Sequence, residues 1–235
     1  MKISINQPAY LPWLGYFDRI YQSDLHVVLD HVQFEKNSFV NRNKVVSNQM
    51  AQMLTVPLQT KGKFGDLAIN NVAIADNNNW HEKHYRTIEQ GYSRAKFKEA
   101  ILPKLKKFYD EESGGKFGEM LRRHLNQYLD LLNMNNTEIL YSSDLGCSGS
   151  KSDLILNICI EVSATKYLSG PFGRNYLDVE AFSEAGIDIS YHDYKHPTYT
   201  QQSKEFLPQM SVLDLLMNHG SESLMILAGL DEGGQ

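Results

Sequence analysis

Two cysteines, Cys147 and Cys159, are all that 235 residues contain. A pair of thiols cannot build a disulfide framework or a four-thiolate zinc site, and both suit a reducing compartment. Long apolar runs are missing too: stretches such as 154–159 fall far short of the ~20 residues that cross a bilayer. The N-terminus enters a β run directly, with no signal-peptide pattern, so a cytoplasmic location is expected and membrane insertion is not. Basic charge is also scarce. With 23 Lys and Arg against 28 Asp and Glu, a formal charge of −5 and no basic stripe, nucleic acid is not an expected partner. No Glu or Cys completes a metal triad around His81 and His84 or around His192 and His196, so no metal site is expected. Nothing in the chain names a cofactor.

What is present is a 42% hydrophobic chain, enough for a substantial core and within reach of a single α/β domain over residues 1–235. Residues 2–6 read as a short β run, residues 13–23 carry apolar positions at helical spacing, and 25–29 form a nearly continuous apolar strand. A hairpin is expected where Val45-Val46 leads through Ser47-Asn48 into 53–57, and another strand at 66–74 with Leu67, Ile69 and Val72 inward. From about 77 to 133 the period is helical, with Asn77 to Asn79 as candidate N-caps. This is a central helical insertion. The β-α alternation then resumes: strand 137–141, helix 151–163, strand 166–168, loop 169–176, helix 179–185, strand 187–191 and a closing helix at 211–218. Strands separated by helices predict a mostly parallel, Rossmann-like sheet flanked by helices.

Ligands of such sheets bind outside the carboxyl ends of the strands. The polar groups after each strand are therefore the candidates: Asn6, Gln7 and Tyr10; Asp30, His31 and Gln33; Ser142, Ser143 and Asp144; Ser169, Gly170 and Arg174; His192, His196 and Tyr199. Asp30 ends an apolar strand and either caps a turn or aims a charge into a cleft. Arg42, between Asn41 and Asn43, suits bidentate binding of phosphate or carboxylate, or a surface ion pair. Lys151 opens a helix, where backbone N–H groups and a cation can bind an anion together, although the glycines of a P-loop are absent. His196, extended by Pro197 and close to Tyr199 and Gln201, has the intrinsic pKa of a general base. Cys159 reads as a buried small hydrophobe.

The pattern Gln7-Pro-x-Tyr10-Leu-Pro-Trp13-x-Gly15-Tyr-Phe17, the segment Asp30-x-x-Gln33-Phe34, and Asn41-Arg42 resemble the WbqC-like proteins. So do Tyr167-Leu-Ser-Gly170, Tyr176-Leu, His196-Pro-x-Tyr199-x-Gln201, Phe206 and Ser211-x-Leu-Asp214-Leu-Leu-x-Asn218-x-Gly220 in the second half. Members of that family are typically encoded with genes for bacterial surface polysaccharides and unusual amino sugars, which implies a role in making or decorating a sugar precursor. A weaker resemblance is to nucleotidylyltransferase-like folds, but the turn at 12–16 has the glycine of their signature and neither histidine, so nucleotidyl transfer is not expected.

Two functions follow as expectations. The first is a transferase placing an acyl or aminoacyl group on a nucleotide-linked amino sugar. Asp30 or His196 would act as base, Arg42, Lys151 or Arg174 would hold phosphates, and Gln7, Tyr10, Trp13, Gln33, Asn41, Ser169, Gly170, Tyr199 and Gln201 would line the substrate site. The second is a non-catalytic sugar-nucleotide-binding or scaffolding subunit for a partner enzyme of the same pathway. Convergence of Gln7, Asp30, Asn41, Arg42 and His196 in one pocket would favour catalysis; scatter beside an exposed apolar patch would favour partner binding.

Overall fold

A computed structural model describes residues 1–62, 67–75, 79–112 and 114–230. Strand β1 (Lys2–Asn6) leads through helix α1 (Leu14–Tyr21) to β2 (Leu25–Val28). A hairpin of β3 (Arg42–Ser47) and β4 (Met50–Thr55) follows, then helices α2 (Trp80–Gly91), α3 (Lys98–Asp110) and α4 (Phe117–Leu131). The chain returns to the sheet through β5 (Glu138–Tyr141), α5 (Ser142–Leu145), α6 (Lys151–Glu161), β6 (Lys166–Ser169), α7 (Val179–Glu184) and β7 (Asp188–Tyr191). Helices α8 (Val212–His219) and α9 (Ser223–Leu227) come last.

Five strands, all parallel, form one sheet in the order β5-β2-β1-β6-β7. The architecture is Rossmann-like. The chain begins at the centre, steps outward through β2 to β5, then crosses back to β6 and β7, so its progression reverses between β1 and β6. Such a reversal sends the crossover helices of the two halves to opposite faces and leaves a crevice at the carboxyl edge.

Side-chain alternation assigns the two faces. Ile3 and Ile5 of β1, Leu25 and Val27 of β2 and Tyr167 of β6 pack with Ile155, Ile158, Cys159 and Phe182 from α6 and α7. Ser4 and His26 are out of phase with that set, the Ser4 hydroxyl lying 2.7 Å from His26 Nδ1. The His26 ring meets Tyr16 of α1. Val28 belongs to the larger core, which α1, the hairpin, the inserted helices and α8 share.

Two details depart from the sequence expectations. The hairpin turns at Asn48-Gln49, one residue later than expected, with φ of 50° and 63°; two left-handed residues suit a tight two-residue hairpin loop. Residues 67–74 form no strand. Leu67, Ile69 and Val72 are buried, but Asn71 and Val72 both donate their N–H to the Ala68 carbonyl, so the chain turns there and makes only isolated bridges to Gln33, Leu58 and Lys116. Asp66, Asn77 and Asn78 lie outside the described residues, and Asn79 is the N-cap of α2 without a side-chain capping bond.

Three histidines are held neutral in this interior. Burial pulls His26 and His124 down to about 3, Arg19 adding to the effect at His26. Burial, with a contribution from His81, lowers His84 to about 4. Each therefore refuses, when folded, a proton that the unfolded chain accepts below about 6.5. Their stabilisation is complete above that pH and is lost as pH falls toward the folded values. Urea unfolding at pH 7.5 and pH 5 is expected to show a loss on the order of 2 kcal/mol per histidine, roughly 6 kcal/mol together. Equal stability at the two pH values would contradict this.

Candidate functional site

A cleft of about 780 Å³ opens at the carboxyl edge of the sheet, at the reversal point. The exit of β1 supplies Asn6 and Gln7; Trp13, Gly15 and Arg19 come from the start and body of α1. Gly170 to Gly173 follow β6, and His192, Asp193, Tyr194 and His196 follow β7. The hairpin adds Asn43 and Lys44 on the far side, and Phe39, Phe172 and Tyr176 stand exposed around the opening.

The turn from β1 into α1 is what brings Trp13 and α1 to this edge. Leu11 has a left-handed backbone (φ 50°), a strained conformation for a branched residue that persists only when the surroundings enforce it. Here the Leu11 N–H donates to Nε2 of His124 (3.1 Å) and its carbonyl accepts from Asn43 Nδ2 (2.6 Å). The first bond also requires His124 to be bare at Nε2. Gly15 is forced by packing: a Cβ there would sit 2.7 Å from the Tyr194 ring.

Two ionic arrangements mark the cleft. The imidazole of His192 meets Asp18 of α1, Nε2 to Oδ2 at 2.5 Å, with both side chains buried. In the neutral ring Nε2–H donates to the carboxylate, and Nδ1 has no protein partner among the described residues. Asp18 also accepts from Gln22 at 2.7 Å. Tyr194 stacks on His192 with centroids 5.7 Å apart and donates its hydroxyl to the Leu227 carbonyl, which fixes the pair's outer side. The second arrangement is Arg19, 7% exposed. No carboxylate among the described residues lies within ion-pair distance of it, and its buried Nε has no partner. Burial lowers its pKa, while the phenols of Tyr167, Tyr16 and Tyr176 act the other way.

Of the residues expected to form a site, Asn6, Gln7, Trp13, Gly170, His192 and His196 border the cleft. The Nδ1–H of His196 donates to the Pro197 carbonyl (2.8 Å), its Nε2 is buried without a partner, and burial lowers its pKa. Ser169 is buried at the end of β6, its hydroxyl donating to the Gly170 carbonyl. The others lie elsewhere. Asp30 accepts from Ser142 Oγ, from Ser143 N–H and Oγ, and from Arg122, joining the ends of β2 and β5. Tyr10 is fully buried, its hydroxyl between His84 and Tyr109. Asn41 donates to the Val56 carbonyl, Arg42 to Asn37, and Gln33 accepts from the Leu67 N–H. Tyr199 and Gln201 both donate to the buried Asp214. Arg174 is exposed over the Tyr191 ring, and Lys151, also exposed, opens α6 with φ of 50°. Among the described residues, no group of three or more His, Cys, Asp or Glu side chains could hold a metal.

Asp18 and Arg19 escaped sequence reasoning because a charged pair in a short helix ordinarily marks its solvent face. The signal available was position: α1 is the first helix after the first strand of a parallel sheet, packed from both sides, where a charge is rarely idle. His192 was visible as a polar residue following a strand, but its carboxylate partner lies 174 positions away.

Fold and cleft together define a Rossmann-like α/β protein with a mostly apolar, aromatic-rimmed crevice at its switch point into which a few polar groups reach. The sequence model of the WbqC-like protein family matches residues 7–226, and the chain belongs to that family. It is also 34% identical over 223 residues to a Mycobacterium tuberculosis protein named Uncharacterized protein Rv1507c, covering 94% of this chain and 95% of that one. No solved structure matches the chain. No helix among the described residues is long and apolar enough to cross a membrane.

The placement of Asp30 generates a test. Asp30→Asn turns an NH2 group toward donors and leaves Arg122 and the Ser143 N–H short of an acceptor, at a cost of about 1–3 kcal/mol. Urea unfolding should show that loss while ligand binding in the cleft is unchanged. Weakened binding without a loss of stability would instead put Asp30 in the site.

Proposed function

We propose that the protein is a transferase of bacterial surface-polysaccharide (O-antigen-type) precursor biosynthesis. It places an acyl or aminoacyl group on the amine of a nucleotide-linked amino sugar. The Asp18–His192 pair beside the cleft is the observation that carries this reading. An ammonium group is no nucleophile, so acyl transfer to an amino sugar needs a base. His192 Nδ1 takes the proton as the amine attacks the donor's carbonyl carbon. The C–N bond forms, the bond to the donor's leaving group breaks, and the proton passes to that group. Asp18 accepts from Nε2–H, keeps Nδ1 as the bare nitrogen and stabilises the imidazolium that forms. Because the nucleophile is the acceptor amine itself, no Ser or Cys intermediate is called for. His196 borders the same cleft as a second imidazole, and Trp13, Phe39 and Phe172 offer faces for a sugar ring or a base.

A second reading, a non-catalytic sugar-nucleotide-binding or scaffolding subunit for a pathway enzyme, is favoured by one observation. Gln7 and His196 reach the cleft while Asp30, Asn41 and Arg42 do not, and Phe172 beside it is 77% exposed.

The purified chain is to be incubated with uridine and thymidine diphosphate amino sugars and acyl-coenzyme A or aminoacyl donors, and products read by mass. His192→Gln is expected to lower product formation by about 10²–10⁴-fold, and Asp18→Asn by less. Transfer that survives His192→Gln would remove the base assignment. Absence of transfer from every pair, with sugar-nucleotide binding intact, would favour the scaffold.

A further inference from the structure

We infer that Arg19 is the anchor of an oxyanion subsite in the cleft, built to take a phosphoryl group and, with Lys44, a diphosphate. This deepens the reading above and rests on it for the kind of molecule that carries the anion.

A guanidinium does not give up its proton in a protein, so a buried arginine must find negative charge or acceptors. Arg19 is 7% exposed, borders the cleft, and has no carboxylate partner among the described residues. Its buried Nε makes no hydrogen bond. The neighbouring Asp18 is already engaged by His192 and Gln22. Gly170 is shaped to this guanidinium: a Cβ there would lie 2.4 Å from Arg19 Nη1, so any other residue would drive the fork off the end of β6. The planar fork fits two oxygens of a phosphate or of a carboxylate equally well. The number of cations decides between them. Lys44 also borders the cleft and is in no ion pair among the described residues, whereas Asp193 is the one carboxylate of the cleft lining that is not already paired. Arg19 on α1 and Lys44 on β3 offer one cation to each phosphoryl group of a diphosphate, whereas a lone carboxylate is held by the Arg19 fork alone.

The test is calorimetric titration of the full chain with inorganic pyrophosphate and with the diphosphates of uridine, thymidine, adenosine and guanosine, against uridine and glucuronate as controls. Pyrophosphate and at least one nucleotide are expected to bind, with Arg19→Met weakening them at least tenfold and Lys44→Met weakening them less. Arg19→Met exchanges an unpaired buried charge for a similar apolar volume, so its melting temperature without ligand should equal or exceed that of the natural chain. Gly170→Ala should weaken pyrophosphate with Arg19 still in place. The proposal fails if no phosphate probe binds, if Arg19→Met binds pyrophosphate as the natural chain does, or if glucuronate binds as tightly as pyrophosphate. Phosphate binding that depends on Arg19 while transfer survives His192→Gln would leave this subsite standing and remove only the base. The reverse result would remove only the subsite.

Discussion

The segment between β1 and α1 runs through the interior rather than over the surface, and its backbone has to be satisfied there. Buried N–H and C=O groups without partners are costly enough that native structures pair nearly all of them. Each partner in this stretch comes from a different part of the chain. Tyr10 N–H donates to the Val40 carbonyl, Leu11 N–H to His124 of α4, Asn43 of β3 to the Leu11 carbonyl, and the Val212 N–H of α8 to the Pro12 carbonyl. The sheet, the hairpin, the inserted helices and the C-terminal helices are thus tied together at three consecutive residues, Tyr10, Leu11 and Pro12. The left-handed Leu11 that results aims Trp13 and α1 at the sheet edge, so the cleft depends on this knot.

The same economy explains why charged residues of similar appearance differ in consequence. Asp30, just after β2, and Asp18, within α1, are both buried carboxylates. Asp30 is met by two serines, a backbone N–H and Arg122, and its bonding capacity is used up in joining β2 to β5. Asp18 holds a histidine whose other nitrogen has no partner among the described residues. Likewise Arg122 spreads over Asp30, Asp144 and the Tyr141 ring, whereas Arg19 has none of these. A charge whose interactions are complete within the protein stabilises the fold; one left incomplete beside a cleft is available to a ligand.

The sequence made the architecture readable because periodicity is a local property. Ile3, Ile5, Leu25 and Val27 alternate as sheet residues must, and the 77–133 stretch switches to helical spacing, so a parallel sheet with a helical insertion could be read directly. The 67–74 stretch misled because Leu67, Ile69 and Val72 are buried as a strand's inner face would be, while Asn71 and Val72 turn the chain back onto the Ala68 carbonyl. The cleft lining was legible at Asn6, Gln7, Trp13, Gly170, His192 and His196, which follow strand ends or open the first helix. It was not legible at Asp18 and Arg19, where meaning comes from a histidine 174 positions on and a glycine 151 positions on. Tyr10, Tyr199 and Gln201 carry polar groups that look ligand-directed in a sequence; in the fold His84 and Asp214 absorb them.

The insertion is more than an ornament on the sheet, because it sets the far wall of the cleft. Lys44 and Asn43 reach the cleft from β3, which pairs with β4 alone and has no place in the main sheet. What positions that hairpin is α2. A Cβ on Gly91 would sit 1.9 Å from the Val46 carbonyl oxygen, so helix and strand touch backbone to backbone, and the Val46 N–H donates to the hydroxyl of the adjacent Tyr92. The Lys44 carbonyl accepts from the Ser211 N–H just ahead of α8. The distance across the cleft is therefore set by contacts that leave no slack on either side of β3. Lys44 therefore lines the cleft from a strand anchored on both sides, while Arg19 lines it from α1, so the two cations of the proposed subsite are brought together by separate parts of the chain.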